Sequence, residues 1–556
     1  MKILAVNLLR LGDIIMTVPA LRALKKAHPH AELHVLINSQ FKAVKELMPF
    51  IDQFHFFDRN NLQSGLGEGD IALLHSFDLL KETVDQLNSK KFDRVYNFTH
   101  NSLSAWLVSL IDCKEKIGLT YDQAAQAHFG SNWFSYLNHQ TEFEGKDVFH
   151  YSDIFQFSVT HSAKRSSLAL KETIAGRAEA SRLRANREDL VFIQALSSDP
   201  KKDWGVERWK KFVIEFSQFH KEATFMFLAA PNEAAQLTAI VDDLGASGIR
   251  AEVAVCSLEG ALSLLQEGRL LITADTAIKH IASATQIPMV ELCLGSSDPY
   301  RTGAYRDNVY IVRSKESCSP CVHSRGCHRE KQFCAINTSA QAVVSIASCV
   351  YSGNTHLIKV VADEFSDQIE VLRTELKQCG FWTASPVTEN LSESAISRWL
   401  ERCALKLYLN SPANQIDRSD EFLNEIENLS RTLKQAFPEI AQAEWNHIFD
   451  DVERRINSIE TRLTGFQYSL RGLASNYESP QIMQHFIEDL RNFRDRLRPS
   501  GYLRAKGEAL DWVIEDERST AFVRYRRISN SLNEMHGRTQ IEMKLVRFLK
   551  NQMEIV

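Results

Sequence analysis

Asp13 stands where an apolar run, Ile3–Leu9, turns through Arg10-Leu11-Gly12 into a helical pattern that carries Pro19-Ala-Leu-Arg-Ala-Leu24. A strand-to-helix junction of this kind lies at the carboxyl edge of a parallel sheet, where open α/β folds gather ligands, so an acid there is a candidate for chemistry. The ordinary alternative is that Asp13 caps the helix beginning at Ile14. Far down the chain, Asp275-Thr276-Ala277-Ile278-Lys279-His280 gives Asp13 a partner site. Cys318, Cys321, Cys327 and Cys334 form a third group. Four thiolates in one short polar segment can close a tetrahedral site, and soft sulfur ligands favour zinc or iron. A structural metal is expected there, with His323 and His328 as spare ligands; reduced thiols packed in a loop are the alternative.

Two α/β series would position these groups. From Lys2 to about Tyr151, apolar strands alternate with helical segments: Ile3–Leu9, Thr17–Lys26, Glu32–Ile37, Ala43–Met48, Arg94–Phe98 and Leu103–Ile111. Such alternation is the pattern of a doubly wound parallel sheet. The stretch from about Thr160 to Glu188 lacks a sustained apolar strand and reads as a partly helical connection. A second series opens at Leu190–Ala195, with a helix over Val206–Phe219 and a strand over Ala223–Leu228. It continues through the apolar segments Leu270–Ile272, Ile281–Thr285, Met289–Cys293 and Val309–Val312. Two such domains, 1–160 and 185–352, imply a cleft that holds a substrate from both sides.

From Gly353 to Val556 the sequence predicts a helical extension. Trp445, Phe449, Val452, Ile456, Ile459, Leu463, Phe466, Leu470 and Leu473 alternate at spacings of four and three, a heptad seam. After Ser475–Pro480 a second seam follows through Met483, Phe486, Leu490, Phe493 and Leu497, so an antiparallel hairpin is expected. These seams are core or an oligomer interface.

Composition bounds the function. The 556 residues exceed one hydrophobic core, and 44% hydrophobic with 24% charged residues is ordinary globular chemistry. A net charge of −5 argues against wholesale nucleic-acid binding. The run Ile3–Leu9 is too short for a membrane span and reads as a buried strand, so a cytoplasmic protein is expected. A basic stretch from Arg524 to Lys550 would face solvent, or else contact an acidic acceptor or the inner membrane surface.

The segment Arg10-Leu-Gly12-Asp13 with Pro19-Ala-Leu-Arg-Ala-Leu resembles the amino-terminal signature of glycosyltransferase family nine, the bacterial heptosyltransferases. Asp275-Thr-Ala-Ile-Lys-His280 looks like the family's donor-binding segment, with Ala277 where the family has Gly, and Gly295-Ser-Ser-Asp298-Pro is similar to its Gly-Pro-Thr/Ser-Asp-Pro loop. Lys202, two residues before Trp204, and Glu233 in Ala230-Pro-Asn-Glu233 match further family positions. The resemblance, over roughly residues 1 to 350, implies a GT-B fold of two Rossmann-like domains facing a cleft, here with an α-helical carboxy-terminal domain.

It implies an inverting glycosyltransferase in which Asp13 is the base that deprotonates an acceptor hydroxyl. Lys202, Glu233, Asp275, Thr276, Ala277 and His280 would hold a nucleotide-sugar donor, ADP-heptose above others, whose diphosphate suits a helix amino terminus. The acceptor would be a cell-envelope saccharide or a protein, and no catalytic metal is expected. Related transferases that modify autotransporter proteins carry iron at similar cysteine clusters. Alternatives are a transferase for another nucleotide sugar and a catalytically weakened scaffold whose tail is its working interface.

Overall fold

The computed structural model describes residues 1–65, 70–140, 149–160, 165–322, 326–376, 381–388, 442–473 and 480–497, with isolated helical positions between 402 and 410 and between 528 and 550. Met1–Asn138 and Phe149–Thr388 form one compact unit; His139–Val148 and Glu389–Val556 form another.

The first unit holds two sheets. In the first, β1 (Lys2–Asn7), β2 (Glu32–Asn38), β3 (Gln53–Phe57), β4 (Arg94–Asn97) and β5 (Glu115–Gly118) lie in the order β3-β2-β1-β4-β5, all parallel. Its centre is a continuous apolar run because both faces are covered: Ile3, Leu4, Ala5 and Val6 are all buried. A short ribbon, β6 (Thr120–Tyr121) with β7 (Ala127–His128), follows β5.

The second sheet begins with β8 (Leu190–Gln194), β9 (Thr224–Ala229), β10 (Ala251–Val255), β11 (Leu270–Ala274), β12 (Met289–Cys293) and β13 (Tyr310–Ser314). Their order is β10-β9-β8-β11-β12-β13, again parallel throughout. In both sheets the strand order reverses beside the first strand, between β1 and β4 and between β8 and β11. Crevices at such reversals are where doubly wound folds bind ligands.

Three sequence expectations need correction. The expected helical extension from Gly353 opens with the helix Ile358–Glu364 but then returns to sheet: β14 (Ile369–Leu376) pairs antiparallel with β13, and β15 (Trp382–Pro386) antiparallel with β14. Their alternation is broken, with Ile369, Val371, Leu372 and Trp382 all buried, which hides the two-residue period. Ile281–Thr285, counted among the apolar segments of the second series, is the end of the helix Ala277–Ala282 and its turn. Ala43–Met48 lies mostly within the 3-10 helix Ser39–Leu47.

A buried polar knot joins the chain crossing to the second sheet. The helix Tyr151–Val159 packs against the helix Val18–Ala27 of the first domain and carries Asp153, fully buried. Asp153 Oδ1 accepts the Tyr305 hydroxyl at 2.5 Å and Oδ2 accepts the Trp382 backbone N–H at 2.6 Å, while Arg165 lies 3.5 Å away. Next to it, His150 Nδ1 accepts the Ser152 N–H at 3.0 Å, so its Nε2 carries the proton and donates to the Gly303 carbonyl at 2.8 Å. Burial holds His150 neutral, near 3.

In the second unit, the helices Gln442–Leu473 and Pro480–Leu497 follow the predicted seams. Trp445, Phe449, Val452, Ile456, Ile459, Leu463 and Leu470 are buried, and Phe466 meets Phe486 edge-to-face at 6.0 Å. Phe466 and Phe486 are equidistant from position 476, as an antiparallel hairpin requires. Leu473, Met483, Phe493 and Leu497 lie outside the described side chains. Arg547 and Lys550 pair with Glu453 and Asp450 on the first of these helices, while Arg524, Arg526, Arg527 and Arg538 lie outside the described residues. Among the described residues, no helix is long and apolar enough to cross a membrane.

Removing the Asp153 carboxylate strands two buried donors. Asp153→Ala lowers stability by about 3 kcal/mol, read as a fall in the urea midpoint, and Asp153→Asn loses less because its amide oxygen still accepts.

Candidate active site

Both strand-order reversals deliver their loops to one place. β1 leads into the helix Leu11–Met16, which carries Asp13 as its third residue. The helix begins at Leu11, not at Ile14, with Arg10 as its N-cap; Asp13 caps it from the third position, its Oδ2 accepting the backbone N–H of Arg10 at 3.1 Å. Burial raises Asp13 to about 6; Asp275 adds to the rise, while the Arg10 N–H and the Lys202 and Arg10 charges oppose it. A carboxyl poised there is ionised at neutral pH yet basic enough to accept a proton.

β8 leads to the 3-10 turn Pro200–Lys202, and β11 leads to Asp275. Lys202 Nζ donates to Asp275 Oδ2 at 2.6 Å, and Lys279 Nζ donates to Asp275 Oδ1. Lys279 is fully buried and directs its other two N–H groups to Glu291 Oε1 at 3.0 Å and the Thr302 carbonyl at 2.6 Å. Its three donors are thereby satisfied. Burial pushes Asp275 up, but Lys279 and Lys202 together hold it well below the usual carboxylate range. Burial pushes Glu291 up, and its second oxygen accepts the Ala304 N–H at 2.9 Å.

The helix Ala277–Ala282 begins here, with Thr276 as N-cap making no side-chain capping bond. His280 is buried, not exposed on the first turn: its Nε2 is 3.8 Å from Asp275 and its Nδ1 has no hydrogen-bond partner among the described residues. Burial, then the Lys279 charge, hold the ring neutral. The ring lies against the opposite sheet's loop, since a Cβ on Gly12 would come within 2.9 Å of His280 Cδ2. Gly12 is thus required by close approach, and Asp13 and Asp275 face each other near enough to interact electrostatically.

The loop Gly295–Gly303 closes one side. Asp298 caps its short helix by accepting the Tyr300 N–H at 3.0 Å and pairs with Arg301 Nε at 3.2 Å. Tyr151 reaches Arg301 with its hydroxyl and feels the charges of Asp13 and Asp298. Glu233 stands just past β9, holding the Ala230 N–H at 2.9 Å and close enough to raise Asp203, whose carboxyl burial brings to about 6. The structure therefore gathers Asp13, Lys202, Asp275, Thr276, Ala277 and His280, with Glu233 on the neighbouring loop. Sequence reasoning passed over Lys279, Glu291, Tyr151 and Arg301; only Lys279 left a signal, its fourth-residue spacing from Asp275.

Among the described residues, no three His, Cys, Asp or Glu side chains group closely enough to hold a metal ion. The expected closed set of four thiols is therefore not assembled. The four cysteines are nonetheless neighbours: burial raises the Cys321 thiol, and Cys318, Cys334 and Cys327 raise it further. Their loop braces the site, with the Cys321 N–H on the Gly295 carbonyl at 2.7 Å, Lys201 Nζ on the Val322 carbonyl at 3.2 Å and Gln332 Nε2 on the Lys201 carbonyl.

Residues 81–332 match the family model described as glycosyltransferase family 9 (heptosyltransferase). The chain carries a glycosyltransferase family 9 domain. It is similar to lipopolysaccharide heptosyltransferase 3 of Escherichia coli, 22% identical over 295 residues, which cover 52% of this chain and 81% of that one. The crystal structure of a glycosyl transferase family 9 protein from Veillonella parvula DSM 2008 superposes with a TM-score of 0.50 at 20% identity, covering 63% of this chain and 97% of that one. The E. coli ADP-heptose lps heptosyltransferase II follows with a TM-score of 0.47 at 13% identity, covering 64% and 99%. The family 9 chain has the GT-B fold expected from its sequence, two Rossmann-like sheets with a helical carboxy-terminal region, and it is a glycosyltransferase.

In this family 9 enzyme the Lys202 loop is seated by Gly295, whose φ is +58° and whose added Cβ would fall 2.1 Å from the Lys201 carbonyl oxygen. Gly295→Ala costs about 2 kcal/mol or more from strain and overlap, seen as a lowered melting temperature, and a crystal structure of the variant shows Lys202 separated from Asp275.

Proposed function

We propose that the enzyme transfers a sugar, heptose from ADP-heptose, with inversion onto a cell-envelope acceptor. The observation that carries this reading is Asp13, poised near 6 and facing the Lys202–Asp275–Lys279 cluster. In the step, the acceptor hydroxyl oxygen forms a bond to the anomeric carbon while the bond from that carbon to the diphosphate oxygen breaks. The hydroxyl proton passes to the Asp13 carboxylate, and the electron pair of the broken bond leaves with the nucleotide diphosphate.

The leaving charge needs a cation. Lys202 Nζ is held at 2.6 Å by Asp275, and Asp275 keeps Lys279 as a second partner, so Lys202 can turn to a diphosphate without leaving Asp275 a bare buried anion. Asp275 thus positions the lysine. The uncapped amides behind Thr276 and Ala277 add partial positive charge, and neutral His280 offers a hydrogen bond without competing for the base. Glu233, on the loop after β9, would accept from ribose hydroxyls with the carboxylate that now holds the Ala230 N–H. The name of the curated relative, a lipopolysaccharide heptosyltransferase, supports heptose as the sugar.

The cysteine cluster fits a soft metal in donor type, since Cys318, Cys321 and Cys327 share one loop, Cys334 stands on the short helix Phe333–Asn337 that follows, and Cys321 feels the other three. Zinc or iron there would supply a structural clip on the Lys202 loop and no step of the transfer. Metal analysis of the purified full chain by mass spectrometry is expected to give about one zinc or iron per chain, and Cys318→Ser with Cys321→Ser to lose it.

Asp13 generates the sharpest tests. As its pKa near 6 is that of the base, kcat/KM is flat above about pH 7 and falls about tenfold per pH unit below about 6. Asp13→Asn lowers kcat by about 10²-fold or more with nucleotide binding retained. Its melting temperature at pH 7.5 does not fall, because a carboxyl whose pKa is raised on folding loses stability as pH climbs through that range. Transfer by Asp13→Asn at the wild-type rate would rule out the base assignment. Thermal stabilisation by ADP-heptose, and not by UDP-, GDP- or ADP-hexoses, checks the donor; a preference for any hexose donor would replace heptose.

A further inference from the structure

The first sheet's reversal has two lips, and Asp13 occupies one. The other is the exit of β4, which leads to Thr99 and His100. The two lips are tied together: the Leu8 N–H donates to Thr99 Oγ1 at 2.8 Å, and Asn97 Oδ1 accepts the Thr99 N–H at 3.0 Å. His100 Nδ1 is buried and has no hydrogen-bond partner among the described residues. Its ring lies 6.1 Å from Tyr151, the residue that feels the charge of Asp13. Burial holds His100 neutral, near 4. A neutral imidazole with an idle nitrogen is costly unless something arrives to bond it.

One strand further out, β5 ends at Gly118 and the chain rises to Tyr121. The Tyr121 ring packs on Trp106 at 4.8 Å and 36°, and its hydroxyl meets Ser102 Oγ at 3.4 Å. Ser104, Ala105, Leu107 and Val108 bury the other side of the Trp106 helix, which leaves Trp106 45% exposed. The Tyr121 N–H is fixed on Ser109 Oγ at 2.8 Å, so the aromatic pair is rigidly mounted. From the exit of β1 to that of β5 is two strand spacings, about 10 Å, a span that a disaccharide bridges. Pyranose rings carry apolar C–H faces and hydroxyl rims. An exposed aromatic face takes the first and an idle imidazole takes the second.

We propose that His100 and the Trp106–Tyr121 pair form an acceptor groove along the carboxyl edge of the first sheet, built for an oligosaccharide of at least two sugar residues. The reacting sugar lies between Asp13 and His100, its hydroxyl rim bonded by the imidazole. The preceding sugar stacks its C–H face on Trp106. This inference rests on Asp13 marking the acceptor side of the cleft, and it selects a saccharide over a protein acceptor. His100 and Trp106 act as specificity residues: they hold the acceptor and take no part in the proton transfer.

The test uses the full chain and an immobilised panel of defined bacterial-envelope mono-, di- and trisaccharides, with no donor present. A parallel arm measures thermal stabilisation by ADP, which reports folding and the donor site. Wild type is expected to retain a di- or trisaccharide and to bind the corresponding monosaccharide weakly. Trp106→Ala weakens the longer ligand about tenfold, the worth of one aromatic contact, while Trp106→Phe stays within about threefold. His100→Ala weakens mono- and disaccharide alike, and stabilisation by ADP is the same in all variants. Equal binding of the panel by wild type and Trp106→Ala overturns the proposal, as does a wild-type chain that retains no saccharide at all. A loss of ADP stabilisation in the wild type bears on the donor reading alone, because the panel is read without nucleotide.

Discussion

Asp275 holds two ammonium groups, one from its own helix and one from a different loop, and the remainder of the site is arranged around that triad. A buried carboxylate is costly unless paired, and a buried lysine equally so. Lys279 meets the second requirement with three acceptors from three separate segments, Asp275, Glu291 and Thr302. The consequence is geometric: β11, β12 and the loop before β13 are pinned to one nitrogen atom. Lys202 is then the one partner of Asp275 that can be spared, which is what a lysine must be if it is to meet an incoming diphosphate.

The same triad sets the electrostatics across the cleft. Asp13 is raised first by burial and then by the negative charge of Asp275, with Lys202 pulling the other way. Moving Lys202 onto a donor would weaken its restraint on Asp13, while the phosphates would add negative charge nearby. Both changes raise the proton affinity of Asp13 further. On the proposed assignment, a donor held by Lys202 would therefore strengthen Asp13 as a base through Coulomb interaction alone. His280 stays neutral among these charges because it is buried beside Lys279, and it packs where Gly12 leaves no side chain.

How much of this was legible follows from what each feature needs. The order of strands and helices was readable because both sheets are covered on both faces and their strands are plain apolar runs, as in Leu190–Gln194 and Met289–Cys293. β14 and β15 were not, because antiparallel strands packed over a buried edge lose their alternation. Asp13, Lys202 and Asp275 were found by motif. The role of Asp275 was not, since a motif lists residues without saying that a carboxylate is already neutralised by two lysines. Tyr151 carries no local pattern at all; it comes near Asp13 only because the helix Tyr151–Val159 packs back on the helix Val18–Ala27, far away in sequence.

The cysteine loop shows how a distant segment enters the chemistry without touching it. Three of its contacts fall on the two stretches that seat Lys202: the Gly295 carbonyl, the Lys201 side chain and the Lys201 carbonyl. Gly295 itself adopts a left-handed backbone so that the Lys201 carbonyl can pass close by. A polar loop of this length has little apolar surface with which to hold a fixed shape, and Cys334 is the only one of its four clustered cysteines that is buried. Whatever fixes the thiols relative to one another thereby fixes the carbonyls and amides between them, and through these the lysine. The stability of the loop and the placement of Lys202 are one problem, solved once, at the junction of Lys201, Gly295 and Cys321.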